Sequence, residues 1–176
     1  HLSGSFRQLD SLESRRALIN RVSNLSTSLA IESVKRIDGS AKVDQNDPGD
    51  RLFRQDVALL KARLTAISKG SSALSITKID ASDPSSKPVI NLVHNCELLI
   101  ELCQIERSGS RSPLLKNQIF DRMKEVDSAL DETLVLTSDG VGRLQGQLYA
   151  TSLGGFLSVF AVLLLTSTFA FRPMFA

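Results

Sequence analysis

Residues Ser152–Ala176 read SLGGFLSVFAVLLLTSTFAFRPMFA, and this stretch decides how the whole chain is organised. No charged residue occurs from Leu144 to Phe171, a run of 28 residues. A helix that crosses a bilayer needs roughly 20 apolar residues, so the run is long enough to span. A buried soluble helix of this size would need a large domain around it, and the preceding chain is short. No polar face runs through Phe156–Phe171, which excludes a helix lying along the membrane surface. The hydroxyls of Ser158, Thr166, Ser167 and Thr168 are compatible with a span, because they can bond back to helix carbonyls. Gly154 and Gly155 would permit close approach of a neighbouring helix. The expected span is 150–171. Arg172 and Pro173 mark its boundary, since the arginine restores charge and the proline stops the helix. A positive residue at this end points it towards the cytoplasm. Residues 1–149 then form an extracytoplasmic domain, and 172–176 begin a cytoplasmic segment.

Upstream of the span, four stripes of aliphatic residues repeat at three- and four-residue spacing, the signature of amphipathic helices. The first, within about 6–37, carries Leu18, Val22, Leu25 and Leu29. The second runs Phe53, Val57, Leu60, Leu64 and Ile67, and Gly70 is placed to end it in the left-handed conformation. The third contains Val89, Val93, Cys96, Ile100 and Cys103. In the fourth, Ser112 can cap and Pro113 can take the first helical position. Leu115, Ile119, Met123, Val126, Leu130 and Leu134 then form its seam. Gly140 and Gly142 weaken this helix locally, while Val141, Leu144 and Leu148 can carry it on towards the membrane. Gly39, Pro48 and Gly49 break the chain between the first two stripes. The segment ALSITKI (73–79) is at most a short extended piece. The fold class expected is all-α: an antiparallel four-helix bundle followed by one C-terminal transmembrane helix. In that topology His1 also lies at the membrane surface, which suits a bundle hung between two membrane helices. The polar opening HLSGSFRQLD carries no signal peptide, and the chain reads as a piece of a longer protein.

The composition narrows the functions. A net charge of +2 with no basic block gives no footprint for nucleic acid. Aromatic residues make up 5% with no Trp, so the core must be aliphatic. His1 and His94 are the two histidines, too few for a metal cluster or a nucleophile–histidine pair. His94 reads as a polar boundary residue. Cys96 and Cys103 lie about 10 Å apart along a helix, too far to bond to each other, and read as buried small side chains. Asp127 with Asp131 and Glu97 with Glu101 stand at i,i+4 and read as solvated faces. SDGVGRLQG has neither a preceding strand nor the lysine of a phosphate loop. No catalytic residue, metal site or cofactor is expected.

One polar cluster suggests a ligand. Arg15, Arg16, Asn20, Arg21 and Asn24 fall within a few helical turns, and Arg21, Asn24 and Ser28 share a face at i,i+3 and i,i+4 steps. They can hold an anion or small polar ligand, particularly where a two-fold axis doubles the arginines. The same residues also fit an ordinary charged outer face.

Phe171, Arg172, Pro173 and Met174, directly after a leucine-rich span, resemble the Phe-Arg-Pro-hydrophobic sequence that ends the second membrane helix of one receptor family. That family is the N-terminal sensor region of type IV pilus methyl-accepting chemotaxis transducers, the PilJ-like family, also found ahead of histidine kinases and diguanylate cyclases. INRVSNLSTSLA (19–30) is similar to its first-helix motif, and FRQDVALLKARLTAISKG (53–70) to its second helix. In the motif Arg21, Leu25 and Ser26 match, whereas Ser23 and Ser28 stand where the family has other arginines. No particular ligand is therefore carried over. The resemblance implies the sensor module of a bacterial inner-membrane receptor, a homodimer responding to a small ligand or a periplasmic partner protein. A rival reading is a tail-anchored helical bundle that makes contacts but senses nothing, or a subunit of a membrane complex.

Overall fold

The computed structural model describes residues 2–39 and 48–171. Four helices account for most of them: α1 (Leu2–Ile37), α2 (Pro48–Lys69), α3 (Ser86–Arg107) and α4 (Pro113–Phe171). No strand occurs among the described residues. Residues 72–74 form a single 3-10 turn closed by an isolated bridge between Ser71 and Ile76, so the segment 73–79 is extended only locally.

The helix ends follow local chemistry. Ser112 Oγ accepts the Leu115 N–H at 3.1 Å and caps α4, with Pro113 at the first helical position as expected. Gly70 ends α2 with φ +81°, and a Cβ there would lie 2.7 Å from the Lys78 nitrogen. Glycine is thus required twice over, for its left-handed backbone and for the returning chain beside it. Gly140 and Gly142 do not interrupt α4, which is helical throughout. At Gly140 the absent side chain lets α1 come close: a Cβ would meet Leu12 Cδ1 at 3.2 Å.

The core is aliphatic, and Phe53 is the one buried aromatic among the described residues. Every member of the α2 stripe is buried: Phe53, Val57, Leu60, Leu64 and Ile67. On α1, Leu18, Val22 and Leu29 are buried and Leu25 packs against the core; Ile19 and Ala30 widen the stripe. Cys96 and Cys103 are free thiols with fully buried side chains, flanked by Leu92, Leu99 and Ile100. Burial pushes the Cys96 thiol up to about 12, with the Glu97 charge adding, and the Cys103 thiol up to about 11. On α4 the seam from Leu115 to Leu130 is buried, with Met123 half-buried within it; beyond Leu130 the buried line passes through Thr133 and Thr137 to Val141, and Leu134 is half-buried. Both threonine hydroxyls donate to carbonyls one turn back, Ala129 O and Thr133 O, so their burial leaves no polar group stranded.

Helix α1 packs on the other three, and α3 packs on all of them too. Named contacts fix which parts meet. Lys116 pairs with Asp38 at 2.8 Å, while Gly140 meets Leu12. Arg36 lies 3.9 Å from Asp50, and Arg63 donates to the Arg21 carbonyl. Arg122 of α4 donates to Asn95 of α3 at 3.0 Å. From Tyr149 to Thr166 every residue is exposed, including Phe156, Phe160 and the leucines 163–165. This part of α4 is long and apolar enough to cross a membrane. Arg172 and Pro173 lie outside the described residues.

Candidate functional site

A cleft of about 350 Å³ opens where the start of α1, the α2–α3 connection and the last packed turns of α4 converge. Ser11, Leu12 and Arg15 line it from α1, and Arg143, Leu144 and Gln147 from α4. Thr77, Lys78 and Asp83 close it from the connection. This is the end of the helical pack from which α4 departs as an exposed apolar helix.

Arg15 is the anchor of the site, with 3% of its surface exposed. Its position follows from the α1 register: Ser11, Arg15, Leu18 and Val22 continue one buried stripe at steps of four, three and four. Arg15 Nη2 donates to the Thr77 carbonyl at 2.6 Å, and the Thr77 N–H donates to Ser11 Oγ at 2.9 Å. The connection is thereby stitched to α1. Arg15 Nε, however, is buried with no hydrogen-bond partner. A buried guanidinium N–H left in that condition is costly, because its hydration is lost without replacement. Burial depresses the Arg15 pKa, and the Asp83 charge works against that shift. At Asp83, burial favours the protonated acid, but hydrogen bonds from the Ser85 hydroxyl (2.6 Å) and N–H (2.8 Å), with Arg15 and Arg143 nearby, hold the pKa below the usual carboxylate range. Three cationic side chains therefore surround the cleft against one carboxylate, Asp83.

A second polar centre sits at the opposite end of α1. Glu106, with a fully buried side chain, accepts from Arg36 Nε at 3.1 Å. Arg107 donates to both Glu32 and Asp50, and its guanidinium lies 4.5 Å from the centre of the Phe53 ring. The network ties α3 to the end of α1 and the start of α2. It is a cross-brace of paired charges rather than an open site.

Arg21, Asn24 and Ser28 are all exposed on α1, and the Arg21 carbonyl receives the Arg63 guanidinium. They share one face but do not line the cleft, which takes Arg15 from the same polar cluster. His94 is exposed, as are Asp127, Asp131, Glu97 and Glu101. Sequence reasoning missed Lys78, Asp83 and Arg143. Arg143 was signalled by its place immediately before the uncharged run, and Arg15 by its register with Leu18 and Val22. Nothing local in the α2–α3 connection marks Lys78 or Asp83. The chain matches no family model, no curated protein and no solved structure.

Proposed function

We propose that this chain is the extracytoplasmic sensor module of a bacterial transmembrane signalling receptor. In this reading it is an antiparallel four-helix bundle whose last helix continues through the inner membrane towards a cytoplasmic output domain. The observation that carries the reading is the unbroken α4, buried among the other helices as far as Val141 and exposed at every residue of the uncharged stretch from Tyr149 to Thr166. The contacts favour the bundle. Asp38 with Lys116 and Leu12 with Gly140 run α1 and α4 in opposite senses, and Arg36 with Asp50 and Arg21 with Arg63 do the same for α1 and α2. The resemblance of FRPM and of the first-helix motif to PilJ-like sensor regions favours a receptor.

The mechanism is mechanical. A ligand or partner protein that binds two packings of the bundle unequally shifts their populations. Packed helices commonly slide by about 1–2 Å between such states. A continuous α4 carries that displacement into the bilayer without a joint to absorb it. The exposed Arg21, Asn24 and Ser28 face is the proposed two-fold contact and anion-holding surface of a homodimer. If so, Arg21→Ala removes ligand-dependent stabilisation, and unchanged melting shifts with ligand would refute that site.

Orientation tests the reading. Cys96 and Cys103 are too buried to label, so a single exposed cysteine, Ser108→Cys, reports the side of the membrane. A membrane-impermeant maleimide should label it in intact spheroplasts. Labelling only after lysis would contradict a sensor and favour a cytosolic interaction protein held by its C-terminal span.

A further inference from the structure

The geometry points to a phosphate-binding site in the cleft between α1, the α2–α3 connection and α4, with Arg15, Lys78 and Arg143 as its ligands. The inference rests on reading α4 as a membrane span. Arg143 is the last charge before the uncharged run of 28 residues, 144–171. At about 1.5 Å per residue the run is about 42 Å long, the thickness of a bilayer with both headgroup layers. Arg143 and the cleft beside it then stand at the level of lipid phosphates.

The cleft has the chemistry for such a group. Arg15 is held rigidly by the Thr77 carbonyl, yet its buried Nε has no acceptor. A small turn of the guanidinium towards the cleft would let a phosphate oxygen supply the missing acceptor in a charge-assisted bond, the interaction a guanidinium makes best. Arg143 and Lys78 are exposed at the rim and face the same opening, so they can close on a second and third oxygen. Asp83, the one acidic lining residue, accepts from Ser85 and offsets part of the positive charge of Arg15 and Arg143, which leaves the three cations in excess over one carboxylate. Leu12, Ile79 and Leu144 give the cleft an apolar part on which glycerol or acyl carbons can rest. Bound there, the group would bridge α1 to the turn of α4 that enters the membrane.

Two sources offer this chemistry, the headgroup of an anionic phospholipid and free phosphate, and one experiment separates them. The full chain is placed in nanodiscs of phosphatidylcholine alone, of phosphatidylcholine with phosphatidylglycerol, and of phosphatidylcholine with inorganic phosphate at constant ionic strength. Co-elution with the neutral nanodiscs reports the span by itself, so its failure is distinguishable from failure of the site. Helix melting is then followed by circular dichroism. Occupancy should raise the midpoint by roughly 5–10 °C, the shift of one ligand at about a hundred times its dissociation constant in a chain of this size. A shift with phosphatidylglycerol alone assigns the lipid; a shift with inorganic phosphate in the neutral discs assigns the free anion. Arg143→Gln, an exposed substitution that puts no core packing at risk, and Arg15→Lys should each remove most of the shift. Arg7→Gln, on the same end of α1 but outside the cleft, should keep it. No shift in any arm, or a shift that survives both cleft variants, overturns the proposal.

Discussion

Glu106 sits with none of its side-chain surface in water, and its stability depends on Arg36 and Arg107. Removing one member of a buried ion pair leaves the other charge uncompensated, which costs about 3–5 kcal/mol. Glu106→Ala should therefore destabilise the chain by about that amount in urea unfolding. Glu125→Ala, which breaks an exposed i,i+3 pair with Arg122, should cost less than about 0.5 kcal/mol. A similar small effect for both would show that the buried network is not holding the helix ends. The cysteines give a pH dependence. Their folded-state pKa values, about 12 for Cys96 and about 11 for Cys103, lie above the unfolded thiol value because burial disfavours the thiolate. The unfolded chain thus releases protons first as pH rises. The contribution is fully present below about pH 8.5 and is lost above it, by up to about 1.4 kcal/mol per pH unit for each thiol. Melting midpoints from pH 8 to 10 should fall more steeply for the native chain than for a Cys96→Ala, Cys103→Ala variant. The thiols' burial was legible from their place on the α3 stripe; the partners of Glu106 were not, because the pairing joins residues 70 apart in sequence.

At the scale of elements, the helices were legible because period and punctuation agree. The α2 stripe is buried at every predicted position, and Gly70 ends it in the left-handed region. Gly70→Ala should cost at least about 1–2 kcal/mol, the ordinary penalty for a side chain in that conformation, with the clash against the Lys78 nitrogen added to it. Ser112→Ala should cost about 1 kcal/mol through loss of the α4 cap. Both are read from chemical unfolding, and a neutral Gly70→Ala would contradict the close return of the chain beside α2. The seam of α4 was read correctly as far as Leu130. Past it the buried line turns onto Thr133 and Thr137, which a pattern built on apolar residues passes over. Their hydroxyls satisfy themselves within the helix, so polar residues serve where aliphatic ones were expected. The cleft was the least legible part. Arg15 belongs to a periodic stripe, but Lys78 and Asp83 come from an irregular connection whose path is set by Ser11, Arg15 and Gly70, not by its own sequence.

For the molecule as a whole, the account depends on α4 acting as one rod. Gly140 and Gly142 are the places where it would bend, since glycine weakens a helix interior by roughly 1 kcal/mol relative to alanine. Packing of Leu12 against Gly140 lies at that weak point, so the structure braces the rod where its sequence is least helical. A sensor that transmits by displacement needs this stiffness, and a tether does not. The direct measurement is a distance between spin labels at Asn117→Cys and Ala150→Cys in nanodiscs, with the buried native thiols left unlabelled. A continuous helix places the two sites about 50 Å apart, 33 residues at about 1.5 Å each, with a narrow distribution. A broad distribution, or one centred well below that distance, would mean that α4 breaks at its glycines and would contradict the account.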